Sequence, residues 1–149
     1  MKLAICFILL AIPLLCNAEN YIGQDWCNAN FGNESAVHIV KYACEDLVTA
    51  KKIMSSNYGI EMFDLASKTT LRHVDNLKRA YLLQKGFTGR PGDKTVELIN
   101  AYVEFLDELA QSYRAMSNKA LELGNLKMFE KFDNQFSILS NTAEELKIP

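Results

Sequence analysis

The chain has 149 residues, of which 49% are hydrophobic and 23% charged, and its formal net charge is −2. That length is typical of one domain with a sizeable core, and the balanced composition excludes a disordered, collagen-like or polybasic chain. Two histidines and four cysteines leave little room for a zinc cluster, and we expect neither a metal nor a cofactor.

The first 18 residues have the features of a secretory signal peptide. Lys2 supplies a positive charge, residues 3–15 are apolar, and Ala18 completes a cleavage site of small residues. A signal anchor is the alternative, but the apolar stretch is shorter than the roughly 20 residues that a membrane-spanning helix needs. We therefore expect residues 1–18 to be removed, leaving an extracellular chain without a membrane span.

Cleavage would leave two cysteines, Cys27 and Cys44. In an oxidising compartment such a pair predicts one disulfide, which adds about 3 kcal/mol of stability in the chain-entropy model. It would hold residues 19–34, an irregular strap containing Trp26, against a helical domain of residues 35–149. The strap region also carries the one glycosylation sequon, at Asn33, whose alternative role is to help cap the helix that follows.

Four segments with helical periodicity make up the rest of the chain. The first covers residues 35–55 and the second residues 60–85. The third runs from Asp93, the expected N-cap, to a C-terminal cap at Gly124, and the fourth then carries Leu126 on its apolar stripe. No stretch alternates with the period of two that a strand requires.

Short connections join these segments, at residues 56–59, 86–92 and 124–125. Short connections make sequential helices antiparallel neighbours, so the predicted fold is all-α, an up-down-up-down four-helix bundle with the disulfide-held strap. A cytokine-type bundle would need two long crossovers. The loop at 86–92 is glycine-rich and exposes Phe87 and Arg90, which makes it a candidate recognition loop.

No catalytic motif accompanies the two histidines. Neither His38 nor His73 has a serine or cysteine nucleophile in a recognisable motif, and the HExxH, CxxC and GxSxG patterns are absent from the sequence. We interpret both as ordinary residues of helix faces and expect a protein that is not an enzyme.

Basic residues are concentrated in the second segment and the loop after it, while the regions on either side are acidic. The cluster either pairs with acidic side chains of neighbouring helices or forms a surface for an anionic partner such as a glycosaminoglycan. Since the mature chain is acidic overall, we expect no nucleic-acid partner. The seven residues are Lys68, Arg72, Lys78, Arg79, Lys85, Arg90 and Lys94.

Aromatic residues recur at helical spacing in the fourth segment and opposite it. We interpret them as core, and the alternative is that they line a cavity for a small hydrophobic ligand. The set comprises Phe63, Phe105, Tyr113, Phe129, Phe132 and Phe136.

Together these features favour a secreted, non-enzymatic interaction protein, an extracellular effector or inhibitor-like binding module that recognises another extracellular protein through its surface. The alternative is an extracellular carrier of a small hydrophobic ligand, such as a fatty acid, bound between the helices. A bound apolar molecule in the purified protein would favour the carrier.

Overall fold

The computed structural model describes residues 22–31, 38–56 and 59–148; the predicted signal peptide and Asn33 of the sequon lie outside these ranges. Within them the fold is all-helical, as the sequence predicts, and the three stretches contain no β-strand. The helices are α1 (Gln24–Asn30), α2 (His38–Ser55), α3 (Ile60–Leu71), α4 (Val74–Thr88), α5 (Asp93–Glu122) and α6 (Leu126–Leu146).

The strap before the first long helix is not irregular throughout, because it contains α1. This seven-residue helix carries Cys27, which forms the predicted disulfide with Cys44 of α2 across a Cα–Cα distance of 5.7 Å. Both cysteines are buried, and Trp26 packs edge-on against Phe31 beside the core. So short a helix is unstable in isolation, so we attribute its stability to the disulfide and the contacts with α2.

The predicted second helix is interrupted by a turn at Arg72 and His73, which separates α3 from α4. His73 has φ −110° and ψ 4°, outside the helical region. Just before the turn, the hydroxyls of Ser67 and Thr70 each donate a 2.8 Å hydrogen bond to the carbonyl oxygen four residues earlier. Bonds of this kind also occur inside α5 and α6 without interrupting them, so they do not by themselves explain the turn. The turn itself contacts α2, because Arg72 and His73 both lie beside Asp46.

The second part of this predicted helix also ends later than expected. α4 continues past Lys85 to Thr88, and Gly89, in the left-handed conformation at φ 76°, caps it. Gly86 lies inside the helix, although glycine is a weak helix former, so the sequence alone placed the boundary too early. The loop between α4 and α5 therefore contains only residues 89–92.

A well-capped turn joins α5 to α6, which run antiparallel. Gly124, at φ 68°, donates its N–H to the Leu121 carbonyl at 3.0 Å, and the Asn125 N–H bonds to the Ala120 carbonyl at 2.9 Å. These two bonds form a Schellman motif, as the position of Gly124 predicts. Oδ1 of Asn125 then accepts a 3.2 Å hydrogen bond from the Met128 N–H and caps α6.

Two finer predictions for these helices are wrong. Asp93 is the first residue of α5 and not its N-cap; Gly92 holds that position, without a side-chain cap bond. A carboxylate in the first turn is still favourable because it faces the positive end of the helix dipole. Leu126 is 63% exposed and not inward, because the first turn of α6 lies in a run of exposed residues around the turn.

The core is organised around α5, which packs mainly against α6 and also contacts α2, α3 and α4. Tyr102 of α5 is fully buried, and its hydroxyl donates a 2.6 Å hydrogen bond to the Ala43 carbonyl of α2. That bond satisfies a polar group which would otherwise be costly to bury. Other large side chains that are fully buried are Tyr113, Leu47, Leu77, Leu98, Ile99, Leu106, Leu109 and Leu139.

Candidate functional site

Three large apolar side chains are exposed together at the carboxyl end of α4. Leu82 is 64% exposed, Leu83 59% and Phe87 86%, which makes Phe87 the most exposed large apolar residue in the described part of the chain. Leu77, on the same helix, is fully buried. Because each helical residue turns by about 100°, Leu82 and Leu83 point away from the buried side, and Phe87 lies one turn beyond Leu83. We call Leu82, Leu83, Phe87 and the following Arg90 the α4 tip.

The backbone that presents the α4 tip is held by side-chain hydrogen bonds. The Gly92 N–H donates to Oε1 of Gln84 at 2.9 Å, which ties the loop back onto the helix. The hydroxyl of Thr88 lies within hydrogen-bonding distance of the carbonyl oxygens of Gln84, at 2.7 Å, and Arg90, at 2.5 Å. These contacts hold the loop against the helix, and a surface held in this way would lose less entropy on binding.

A shallow cleft of about 380 Å³ lies beside the α4 tip, lined by residues of α4, the loop and the start of α5. Its walls are Gln84, Thr88, Arg90, Pro91, Gly92 and Asp93, which are mostly polar. A second cleft, of about 330 Å³, lies between α1 and Lys52 of α2. Both clefts are open to solvent, whereas small-molecule pockets usually enclose most of the ligand.

The structure separates the seven predicted basic residues into two groups. Three form ion pairs: Arg72 with Asp46 at 3.5 Å, Lys78 with Glu145 at 2.8 Å and Lys94 with Glu97 at 2.8 Å. The sequence left two roles open for the basic residues, pairing with acidic side chains of the protein or binding an anionic partner. These three residues have the first role. The other four make no ion pair with the carboxylates that the structure describes; they are Lys68, Arg79, Lys85 and Arg90.

The aromatic side chains pack against one another and against cations. The ring of Tyr113 lies 6.3 Å from that of Phe63 and 6.1 Å from that of Phe132. Arg114 lies 5.0 Å from the ring centre of Phe136. Neither of the two clefts includes any of the six predicted lining residues, of which Phe105, Tyr113 and Phe132 are buried and Phe63, Phe129 and Phe136 half-buried.

A polar network at Tyr113 connects three helices, and sequence reasoning missed it. The Tyr113 hydroxyl of α5 donates a 2.6 Å hydrogen bond to Asp64 of α3, whose other oxygen is 2.9 Å from Nζ of Lys131 of α6. Burial alone would raise the pKa of Asp64, but the hydrogen bonds from Tyr113 and Lys131 outweigh it and hold that pKa below its ordinary value. Burial and the bond to Asp64 raise the pKa of Tyr113 well above 10. The network fixes the relative positions of α3, α5 and α6.

The two histidines lie in different surroundings. The ring of His38, at the start of α2, stacks on Tyr42 at 6.1 Å. Nε2 of His73, at the turn between α3 and α4, lies 3.0 Å from Oδ2 of Asp46, beside the Arg72 contact. His73 therefore helps to fix the turn onto α2.

A second exposed apolar group lies at the turn between α5 and α6. Leu121 is 51% exposed, Leu123 69% and Leu126 63%. We call these three residues the hairpin leucines. They resemble the α4 tip in exposure but lie at the other end of α5, which makes them a matched control for experiments on the tip.

Within the residues that the structure describes, no helix is long and apolar enough to cross a bilayer, and no three metal-ligating side chains come together. No protein-family model matches the chain, and comparisons with curated proteins and with solved structures gave no match either. The comparisons therefore do not identify a function.

The sequence indicated part of the α4 tip. Phe87 and Arg90 are both exposed, as expected, but Phe87 lies in the last turn of α4 and only Arg90 lies in the loop. The sequence analysis missed Leu82 and Leu83, which lie on the side of α4 away from the buried Leu77.

Proposed function

We propose that this chain is a secreted, non-enzymatic binding protein and that the α4 tip is its binding surface. The observation that carries the proposal is the clustering of Leu82, Leu83 and Phe87, each more than half exposed, on one ordered helix end. Large apolar side chains that are exposed together are typical of interaction sites. The chemistry of the side chains at the tip favours binding over catalysis, because the tip combines apolar groups with arginine and lacks a nucleophile.

The apolar residues of the tip provide a substantial part of a binding energy. Complete burial of a leucine or phenylalanine contributes about 1.5–3 kcal/mol, so covering the exposed parts of these three contributes roughly 3–6 kcal/mol. Association costs at least about 4 kcal/mol in lost translational and rotational freedom. The tip therefore needs further favourable contacts, which its basic neighbours can supply.

We further propose the up-down-up-down four-helix topology, with α3 and α4 acting together as one bent arm. The packing of α2 against both α3 and α4, and of α5 against all the other long helices, supports this arrangement. In that topology the loop after α4 and the turn after α5 lie at opposite ends of the bundle. A binding surface at one end leaves the rest of the molecule as a rigid support.

Secretion, removal of residues 1–18 and glycosylation at Asn33 belong to the same proposal. The Cys27–Cys44 disulfide supports it, since such bonds are typical of oxidising compartments. An intact mass for residues 19–149 of the protein from its own source, less two hydrogens and with or without a glycan, is the expected result. A mass that retains residues 1–18 contradicts it.

The experiment that tests the binding surface is a capture from the extracellular fluid of the source. Wild-type protein is immobilised beside the variant Leu83→Glu and the control Leu123→Glu, which places the same charge at a similarly exposed leucine of the other end. We expect one component to be retained by wild type and control and lost with Leu83→Glu. Equal retention by all three proteins contradicts the proposal.

A further inference from the structure

The α4 tip is surrounded by positive charge that the rest of the molecule does not neutralise. From Lys78 to Lys94 there are five basic residues and one acidic residue, although the whole chain has a net charge of −2. Lys78 and Lys94, at the ends of this stretch, form ion pairs with Glu145 and Glu97. Arg79, Lys85 and Arg90 make no ion pair with the carboxylates of the described ranges, and Lys85 lies 5.9 Å from the ring centre of Tyr81. The partner is therefore expected to carry negative charge around an apolar centre.

The shape of the tip favours a flat, deformable partner. Phe87 projects from the end of a helix at 86% exposure, and the adjacent cleft is shallow and open to solvent. A protein partner needs a pocket shaped for this projection, whereas the boundary between lipid headgroups and acyl chains accepts an apolar side chain of any outline. A second copy of the chain would bring like charges together around Arg79 and Lys85, which opposes self-association.

We infer, resting on the proposed function, that the α4 tip docks on an anionic lipid surface. Leu82, Leu83 and Phe87 enter the boundary between headgroups and acyl chains, as leucine and phenylalanine do in interfacial helices. Arg79, Lys85 and Arg90 remain at the level of the phosphates, where basic residues add affinity. The acidic remainder of the chain is repelled by the same surface, so the protein binds with the α4 tip facing the lipid.

The test is flotation of the mature chain with phosphatidylcholine vesicles, with and without about 30% phosphatidylserine. We expect binding to the anionic vesicles that falls steeply when the salt is raised from about 0.1 M to about 0.5 M. The double variant Leu83→Ser/Phe87→Ser and the double variant Arg79→Glu/Arg90→Glu should each weaken binding by about tenfold or more. The control Leu123→Ser/Leu126→Ser should bind like wild type, and circular dichroism should show all four proteins to be equally helical.

The other outcomes overturn the lipid inference, and they differ in whether the proposed function also falls. Absence of binding to anionic vesicles overturns the inference, and so does equal weakening by the control variant. If an acidic protein or a second copy binds wild type and fails to bind Leu83→Ser/Phe87→Ser, the lipid inference falls and the proposed function stands. If no vesicle and no captured component distinguishes wild type from that variant, both fall.

Discussion

Replacing Tyr113 by phenylalanine removes one hydroxyl from the network that joins α3, α5 and α6. The lost hydrogen bond has a charged acceptor, Asp64, and such bonds contribute about 1.5–3 kcal/mol. Since Asp64 retains Lys131 and its side chain is 30% exposed to water, we expect the lower part of this range, about 1.5–2 kcal/mol. For a chain of this size the corresponding fall in Tm is about 5–8 °C.

The free energy of unfolding lost in Tyr113→Phe should depend on pH, because the network lowers the pKa of Asp64 below its ordinary value of 3.8. A lowered pKa in the folded state adds stability above the unfolded value, and this contribution is lost as the pH falls through the folded pKa. The difference between wild type and Tyr113→Phe should therefore be full near about pH 7 and shrink below about pH 4. Urea unfolding followed by circular dichroism at both pH values measures it.

The control is Tyr102→Phe, which removes the hydroxyl of another fully buried tyrosine of α5, whose acceptor is the uncharged Ala43 carbonyl. Its cost should be about 1 kcal/mol and should not change between the two pH values. If Tyr113→Phe loses the same free energy at both pH values, or behaves like Tyr102→Phe, the charged network does not stabilise the fold as described.

Three further predictions concern the fold. Reduction of the Cys27–Cys44 disulfide should lower the free energy of unfolding by about 3 kcal/mol in denaturant titrations, and an unchanged midpoint would show that α1 is held by other contacts. The substitution Gly124→Ala should cost about 1 kcal/mol in the same titration because φ is 68° there, and a neutral result would mean that the turn adopts another conformation. Leu47→Ala should cost about 2–5 kcal/mol, whereas Leu82→Ala should stay within about 0.5 kcal/mol, and comparable losses would contradict the burial of one and the exposure of the other.

Local patterns in the sequence predicted much of the fold. Val40, Cys44 and Leu47 recur at the spacing of one helix face in α2, and all three are buried. Gly124 correctly marked the end of α5, because few other residues adopt the left-handed conformation that closes a helix. The disulfide followed from counting cysteines, since removal of the predicted signal peptide leaves a single pair.

The errors arose where tertiary contacts or weak local signals decide the structure. The break at His73 coincides with contacts from Arg72 and His73 to Asp46 of α2, which periodicity cannot show. α1 was missed because seven residues are too few for a periodic pattern, and its stability comes from the bond at Cys27.

The candidate site was predictable only in part, because the exposed face of α4 is defined by which of its residues are buried. Loop composition identified Phe87 and Arg90, but their combination with Leu82 and Leu83 emerges only once Leu77 defines the buried face of α4. The pairing of Tyr113 with Asp64 joins residues 49 positions apart, and no local pattern reports such a contact.

Photo-crosslinking from the α4 tip tests the central claim most directly. A benzophenone amino acid replaces Phe87 in one protein and Leu123 in another, and each protein is irradiated in the extracellular fluid of the source. Binding through the tip predicts an adduct from position 87 and none from position 123, and the mass of the adduct distinguishes a lipid from a protein. An adduct from position 123 alone, or none from position 87, would show that the α4 tip is not the binding surface.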